Sequence, residues 1–258
     1  MGVVVSRMVL ATDAGTGHPR HSRQAALAVM LSLVVSMLQG CALPLPGRPA
    51  APSPSPAWTA WSERDAPNYV RLVGEARIDA PLSPGQVDYA PLDAQGRAGV
   101  VRACITSDLM HRGESRERGE MPDPAGWPKN SRATIVLPDG RASHDWFWNR
   151  CHLLAKSLGG EERRENLVTG TRMLNVGADD GQGGMDVFET AIRDWLGTYP
   201  DVTVQYVATP VYEGDEPIPR SVFVDVLSSD GCLNERLEVY NAARGYAIDY
   251  RHGTYAPT

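Results

Sequence analysis

The sequence has little positive charge for its length. It carries 25 lysines and arginines against 31 aspartates and glutamates, a formal net charge of −6 over 258 residues. A protein that coats nucleic acid by bulk electrostatic attraction is basic, so the composition excludes that class. A polyanion that binds here must be held by a local basic patch or by a metal ion.

The chain also lacks an apolar run long enough to span a bilayer, which takes about 20 residues. Residues 25–38 are apolar, follow a stretch that contains Arg20 and Arg23, and run into Leu38-Gln39-Gly40-Cys41. This order is typical of an export signal, and its last tetrapeptide resembles the lipobox of bacterial lipoproteins. We predict a lipoprotein-type signal peptide over 1–40, lipidation at Cys41 and attachment to the outer side of a membrane. An ordinary secretory signal with an incidental Cys41 is the alternative.

Cysteine is scarce, with four in the whole chain. The cysteines lack paired ligand spacing and there is no His-Glu-x-x-His motif, which disfavours a zinc hydrolase. With Cys41 assigned to lipid, the three others are Cys104, Cys151 and Cys232. They allow at most one intramolecular disulfide, and the sequence does not select the pair.

Internal repeats and a second linker are absent beyond about residue 65. Residues 41–64 contain a segment rich in proline, alanine and serine, which favours extended conformations and cannot form a core. We therefore predict a linker over 41–64. With 42% hydrophobic residues in the chain, we predict one domain over 65–258.

Strand and helix patterns follow one another in an order that indicates an α+β fold. Residues 98–106 are rich in β-formers and follow a turn-like segment, which predicts a hairpin. Residues 132–149 predict a strand, a Pro-Asp-Gly turn at 138–140 and a second element leading to His152. Residues 185–197 have apolar side chains at helical spacing. Further strand patterns cover 202–212, 220–231 and 244–255. Strands, then helix, then strands favour α+β over a doubly wound sheet.

His152 is one of six histidines and follows Asn149-Arg150-Cys151. A lone histidine at a strand end is ordinarily structural, so a catalytic base needs partners elsewhere. Asn166 and Asn175 are nine positions apart and would face opposite sides of one continuous helix. They can serve one site only if Asn166 lies in a loop before a helix that runs from about Thr169 to Asn175. For each asparagine alone, a cap or turn position is the commoner role.

The stretch from about Leu92 to Tyr255 resembles the DNA/RNA non-specific endonuclease family, specifically its streptodornase branch of ββα-metal (His-Me) finger nucleases. The family's Asp-Arg-Gly-His signature appears as Asn149-Arg150-Cys151-His152, and ENLVTGTRMLN over 165–175 matches its two-asparagine segment. Glu189 and Arg193 fall where the branch has a glutamate and an arginine. The strings LDAQGR, SDLM and GW match its upstream half in order, and this ordered set makes the resemblance specific.

The resemblance implies a ββα-metal finger core, a mainly antiparallel sheet with flanking helices, and an exported, metal-dependent endonuclease that cleaves DNA, with RNA as a second candidate substrate. His152 would be the general base, because an imidazole with a pKa near ~6.5 can take a proton from the attacking water. Asn175 would hold a single Mg²⁺ or Mn²⁺ ion, since such ions prefer oxygen ligands and keep several waters. Asn166 would orient the finger or the histidine. Glu189 would hold a water on the metal, and Arg193 would neutralise phosphate or pair with Glu189.

Two positions depart from the family pattern. Asn149 replaces the usual aspartate and keeps a hydrogen-bonding side chain. Cys151 replaces a small glycine or serine and would be a disulfide partner or a packed thiol. Because His152, Asn166 and Asn175 are retained, we expect an active enzyme. The alternative is a catalytically inactive, surface-displayed binding module that keeps the nuclease fold.

Arginines supply the candidate contacts to the phosphate backbone. Arg112, Arg116 and Arg118 lie within 110–120, where neighbouring glutamates weaken the case and a solvated loop is the alternative. Arg150 belongs to the signature itself. Whether an immunity or inhibitor protein binds this chain is not encoded in any motif.

Overall fold

The computed structural model describes residues 57–117, 119–137, 139–177, 181 and 183–258. The predicted signal peptide, Cys41, most of the predicted linker and Arg118 lie outside these residues. Within the last part of that linker, Thr59 donates from Oγ1 to Glu238 Oε2 at 2.9 Å, and the Trp61 ring stacks on Tyr69 with centroids 4.8 Å apart. Packing against the domain therefore begins before residue 65.

The described residues form twelve strands and three α-helices. The strands are β1 (Val70–Gly74), β2 (Val87–Tyr89), β3 (Val101–Ile105), β4 (Arg132–Val136), β5 (Ala142–Trp146), β6 (Trp148–His152), β7 (Leu167–Thr171), β8 (Val204–Val211), β9 (Ser221–Ser228), β10 (Asn234–Tyr240), β11 (Tyr246–Asp249) and β12 (Thr254–Pro257). The helices are α1 (Ser107–Ser115), α2 (Arg172–Val176) and α3 (Asp186–Thr198). None of the helices in the described stretches has the length and apolar character that crossing a membrane requires.

A six-stranded antiparallel sheet in the order β1-β10-β9-β8-β3-β2 is the main layer. β8 keeps the predicted alternation, with Val204, Tyr206 and Ala208 buried and the residues between them half-buried. β9 is buried along nearly its whole length, and its one charged residue, Asp225, accepts from Arg236 Nη1 at 2.7 Å. The predicted α+β class and antiparallel sheet are confirmed.

Helix α3 confirms the predicted helix over 185–197, shifted by one residue. It buries Phe188, Ile192 and Leu196, which recur at helical spacing. These side chains belong to the same buried cluster as Val204 on the central sheet and Leu154 after β6. The helix therefore packs the β6–β7 region against the main sheet.

β6, β7 and α2 form a ββα unit, as predicted from the resemblance. β6 and β7 pair antiparallel, with His152 opposite Leu167 at one end and Trp148 opposite Thr171 at the other. The prediction that a helix starts near Thr169 is wrong. Thr169 belongs to β7, and the helix starts only after Thr171, whose Oγ1 accepts from the backbone N–H of Leu174 at 3.0 Å.

Two further predictions on local structure are settled here. The hairpin around 98–106 is confirmed as β2 paired with β3. The alternative of a solvated loop over 110–120 is wrong for its first half, because α1 runs through Ser115. Thr106 starts that helix by accepting from Leu109 N at 3.1 Å.

Candidate active site

His152 ends β6, as predicted, and the backbone around it is held on both sides. The N–H of Leu153 donates to Asn166 O at 2.8 Å, and the Tyr206 hydroxyl donates to Leu153 O at 2.7 Å. The His152 side chain is half-buried, and its Nε2 atom is enclosed by protein. The backbone on both sides of the connection therefore holds the histidine at the end of the β6–β7 pair from which the 153–166 loop leaves.

Asn166 lies in a 3₁₀ turn, Arg164–Asn166, directly before β7, and is fully buried. Its Oδ1 accepts from Leu154 N at 2.8 Å, and its Nδ2 donates to Leu154 O and to Glu161 O, both at 2.9 Å. All three bonds end on the loop that follows His152. The amide therefore clamps this loop, which is consistent with a residue that orients the finger.

Asn175 lies in α2 and is half-buried. Its Nδ2 donates to Asn149 Oδ1 at 3.3 Å, and Asn149 Nδ2 in turn donates to the Trp146 carbonyl at 3.2 Å. Asn149 therefore keeps a positioning role at the place where the family has aspartate. Because the bond to Asn149 uses the nitrogen of the Asn175 amide, the oxygen is the atom suited to a hard cation.

Glu189 lies on α3 beside the finger. The pKa of its carboxyl is raised from about 4.5 to about 7: burial is the largest cause, the nearby charge of Asp186 adds to it, and Arg193 opposes the rise. The Glu189 charge also raises the pKa of the Cys151 thiol and the Tyr206 hydroxyl, although burial is the larger cause for both. Glu189 is thus electrostatically coupled to the residue next to His152.

We expect Glu189 to make the metal-free protein less stable as pH rises from about 4.5 to about 7. In that window the unfolded chain has lost the proton that the folded protein keeps, so the free energy of unfolding falls with pH, by an amount on the order of 3 kcal/mol. Glu189→Gln should remove this part of the slope. Denaturant unfolding in chelator at pH 5 and pH 8 tests it, with exposed Glu114→Gln as control. An unchanged slope in Glu189→Gln would refute the assignment.

The other predicted side chains occupy different settings. Arg193 donates from Nη2 to Thr190 Oγ1 at 3.1 Å and acts on Glu189 through its charge. Arg150 donates from Nε to Asp123 Oδ1 at 2.8 Å and lies over the Trp127 ring, 4.2 Å from its centroid. Arg150 thus belongs to β6 of the finger, and Arg193 belongs to α3 beside it.

Arg112 and Arg116, two arginines of the predicted basic patch, have different surroundings in the structure. Arg116 donates to Gly160 O at 2.7 Å, so its guanidinium holds the end of the loop after His152. Arg112 is exposed in the last turn of α1. Arg118 lies outside the described residues. Of the two described arginines, Arg112 has the exposed setting that a phosphate contact requires.

Cys151 is a fully buried free thiol, which excludes the disulfide alternative and leaves the packed thiol. Cys104 is likewise buried and free, whereas Cys232 is exposed. Gly170 explains how a cysteine fits here: a Cβ at Gly170 would lie 2.5 Å from Cys151 Sγ. Because Gly170 on β7 has no side chain, there is room for the Cys151 side chain on β6.

The donor set near the finger suits one hard cation with few protein ligands. Among the described residues, no three His, Cys, Asp or Glu side chains are grouped to hold a metal. Amide oxygen from Asn175 is the ligand type that Mg²⁺ accepts, and Mg²⁺ keeps several of its waters. The residues present therefore fit a Mg²⁺-type ion better than a cysteine- and histidine-bound zinc.

Sequence reasoning missed a groove next to the finger. It has a volume of about 460 Å³, and Asn149 and Arg150 line it together with Trp127, Trp146, Trp148 and Arg172. Trp146 and Trp148 flank Phe147, whereas Trp127 comes from a separate segment and is the one that belongs to a string used in the resemblance. No local pattern could have grouped Trp127 with the other two.

Comparisons with known proteins give a family model and a curated relative. A family model described as DNA/RNA non-specific endonuclease matches residues 82–229. A deoxyribonuclease from Streptococcus dysgalactiae subsp. equisimilis is 32% identical over 209 residues, which cover 70% of this chain and 63% of that protein's length. The chain thus spans a little under two thirds of this curated relative.

Solved structures share the fold. The Sda1 nuclease with a bound zinc ion superposes with a TM-score of 0.73 at 33% identity, over 77% of this chain and all of the other. NucA from Streptococcus agalactiae with bound magnesium superposes with a TM-score of 0.58 at 20% identity, over 74% of this chain and 88% of NucA. At that lower identity the likeness concerns the fold alone.

Proposed function

The chain belongs to the DNA/RNA non-specific endonuclease family, and on that premise we propose that it is an exported, metal-dependent endonuclease that hydrolyses phosphodiester bonds of DNA and also of RNA. The observation that carries the proposal is the ββα unit. One pair of strands and one short helix place His152, Asn166 and Asn175 in a single rigid segment.

His152 acts as the general base. It removes a proton from the water that attacks phosphorus, and the P–O bond to the 3′-oxygen breaks. The enclosed position of Nε2 supports Nδ1 as the atom that takes the proton. Hydrogen bonds to both the N–H and the carbonyl of Leu153 hold the backbone next to His152 and so keep its imidazole ring in position.

Asn166 is a positioning residue in this scheme. It touches the backbone of Leu154 and Glu161 and acts on His152 through the loop that it clamps. Its complete burial supports this role over direct contact with substrate.

Asn175 Oδ1 holds a Mg²⁺ or Mn²⁺ ion, with magnesium-bound NucA and zinc-bound Sda1 as precedents for a divalent metal in this fold. Such an ion, when bound, neutralises the scissile phosphate and stabilises the leaving 3′-oxygen. Asn149 orients the Asn175 amide through its hydrogen bond. Glu189 in its ionised form would accept a hydrogen bond from a water on that ion. Arg193, whose charge lowers the pKa of Glu189, would neutralise phosphate.

Arg150 is the arginine that we assign to the substrate backbone, since it belongs to β6 itself. Arg112 and Arg118 are the further arginines that we propose as contacts of a long polyanion. Arg116 stabilises the loop after His152, and its effect on binding would be indirect.

Digestion of supercoiled plasmid and of a structureless RNA tests the proposed activity. The protein with Mg²⁺ should nick and then degrade the plasmid and should shorten the RNA, and chelator should stop both. If the protein cleaves neither DNA nor RNA with Mg²⁺ or Mn²⁺, the result would instead support the inactive binding module.

We further propose that Cys41 is lipidated and anchors the protein to the outer side of the cytoplasmic membrane. The apolar segment that runs into Leu38-Gln39-Gly40-Cys41 supports this proposal. Several acyl chains bind a bilayer far more firmly than one. Cys41→Ser should move the protein from the membrane to the soluble fraction or stall its processing. A wild-type protein that is fully soluble and starts at another residue would contradict this.

A further inference from the structure

The groove beside the finger is unusual in its lining. Three indole rings, from Trp127, Trp146 and Trp148, share it with Arg150. Its volume of about 460 Å³ lies within the range of roughly 300–1,000 Å³ that small-molecule sites occupy. Large aromatic side chains with one wet surface are typical of binding sites.

Trp146 is the ring most open to a ligand. It lies at the end of β5 and is 48% exposed, which is rare for so large an apolar side chain. Arg132, directly opposite on β4, lies over the indole, 5.6 Å from its centroid. Trp148 is buried and anchored, since its Nε1 donates to Gly253 O at 3.0 Å. The groove thus has a fixed aromatic floor, formed by Trp148, and an exposed aromatic wall, formed by Trp146.

Asn149 connects the groove to the candidate metal site. It lines the groove, donates to the Trp146 carbonyl and accepts from Asn175. A ligand in the groove would therefore lie beside the residue that bonds the proposed metal ligand. It would be a group adjacent to the scissile phosphate.

Charge argues that this group is not itself a phosphate. The Arg172 guanidinium lies 3.7 Å from Asp145, and both residues line the groove. A carboxylate so close to this arginine weakens its attraction for a phosphate. A flat π face with polar edges suits these surroundings better, because it stacks on indole and hydrogen-bonds with both amides and carboxylates.

We propose that this groove is a nucleobase subsite, in which one base next to the scissile phosphate leaves the stack and lies on Trp146. The proposal rests on the proposed nuclease function and identifies a nucleobase as the part of the substrate that the groove binds. Stacking accepts any base, because every base has a π face, so it suits an enzyme without sequence preference. It also favours strands that are already unpaired, since unstacking a duplex base costs free energy.

Binding measured in excess chelator tests the subsite without cleavage. The probes are a short oligothymidylate and an oligonucleotide of the same length with abasic sugars. Wild type should bind the first about 10-fold more tightly, as expected for loss of one stacked base. Trp146→Ala should lose that preference and bind the abasic strand as wild type does, whereas Trp146→Phe should keep most of it. Tyr199→Ala is the matched control, since Tyr199 is 47% exposed outside the groove and its loss should change nothing.

Unchanged oligothymidylate affinity in a folded Trp146→Ala would overturn the subsite. The comparison of the two probes on wild type needs no variant, so equal affinity for both overturns it even if Trp146→Ala does not fold. Failure of the nuclease function is a separate result: wild type would then leave plasmid intact with Mg²⁺ whatever its preference between the probes.

Discussion

Replacing His152 by alanine is expected to lower the rate of DNA cleavage by about 10²–10⁴, the usual contribution of a positioned base. The fold should survive, because the side chain is only half-buried and the strand pairing of β6 with β7 does not depend on it. Turnover measured at saturating Mg²⁺, alongside a thermal melt of the same sample, separates loss of chemistry from loss of structure.

His252→Ala provides the matched control. His252 is exposed, and its Nδ1 bonds Asp249 Oδ2 at 2.7 Å in the turn between β11 and β12. Its removal should leave turnover within about twofold of wild type, as is usual for surface substitutions. If His152 were merely structural, the melt of His152→Ala would fall and the folded fraction would cleave at the wild-type rate.

Replacing Asn175 by alanine is expected to raise the Mg²⁺ concentration needed for half-maximal cleavage by at least about 10–100-fold, the loss that even removal of an outer-shell partner produces. The substitution removes the amide oxygen proposed as ligand and the bond to Asn149. Titration of activity with Mg²⁺ and with Mn²⁺ measures the shift, and a thermal melt verifies the fold.

Asn149→Asp is the informative partner of Asn175→Ala. It restores the family's aspartate, keeps an acceptor for the Asn175 amide and should retain activity. Wild-type activity in excess chelator, or an Asn175→Ala variant with an unshifted Mg²⁺ requirement, would exclude the site proposed here.

Local periodicity accounts for the elements that could be predicted from the sequence. In β8, the alternation of Val204, Tyr206 and Ala208 reflects one buried face, and in α3 the spacing of Phe188 and Ile192 reflects one buried stripe. These signals lie within a single element. They therefore need no knowledge of what the element packs against.

The errors occur where tertiary contacts decide the structure. Residues 169–171 are Thr-Gly-Thr, which have low helix propensity, and pairing with β6 makes the segment a strand. β1 and β10 escaped prediction, and they pair with each other across more than 160 residues of sequence. Tyr206, whose hydroxyl secures Leu153, shows only as one member of a strand pattern.

The residues proposed for the site were selected through a motif, which carries residue identity as well as periodicity. His152, Asn166 and Asn175 were selected by their order along the chain, and their roles stay predictions. The clamp that Asn166 makes on Leu154, and the fit of Cys151 against Gly170, required coordinates. The same holds for Arg116, which the sequence suggested as a phosphate contact and which holds a loop.

Chemical rescue of His152→Gly tests the central claim most directly. The glycine variant should be nearly inactive, and the space left by the ring should admit added imidazole. Activity should then rise with imidazole concentration and, as pH is varied, in proportion to the neutral form, whose conjugate acid has a pKa near that of histidine, ~6.5. The account predicts this partial recovery in a protein whose melt matches wild type. Near-normal turnover by well-folded His152→Gly without imidazole would contradict it.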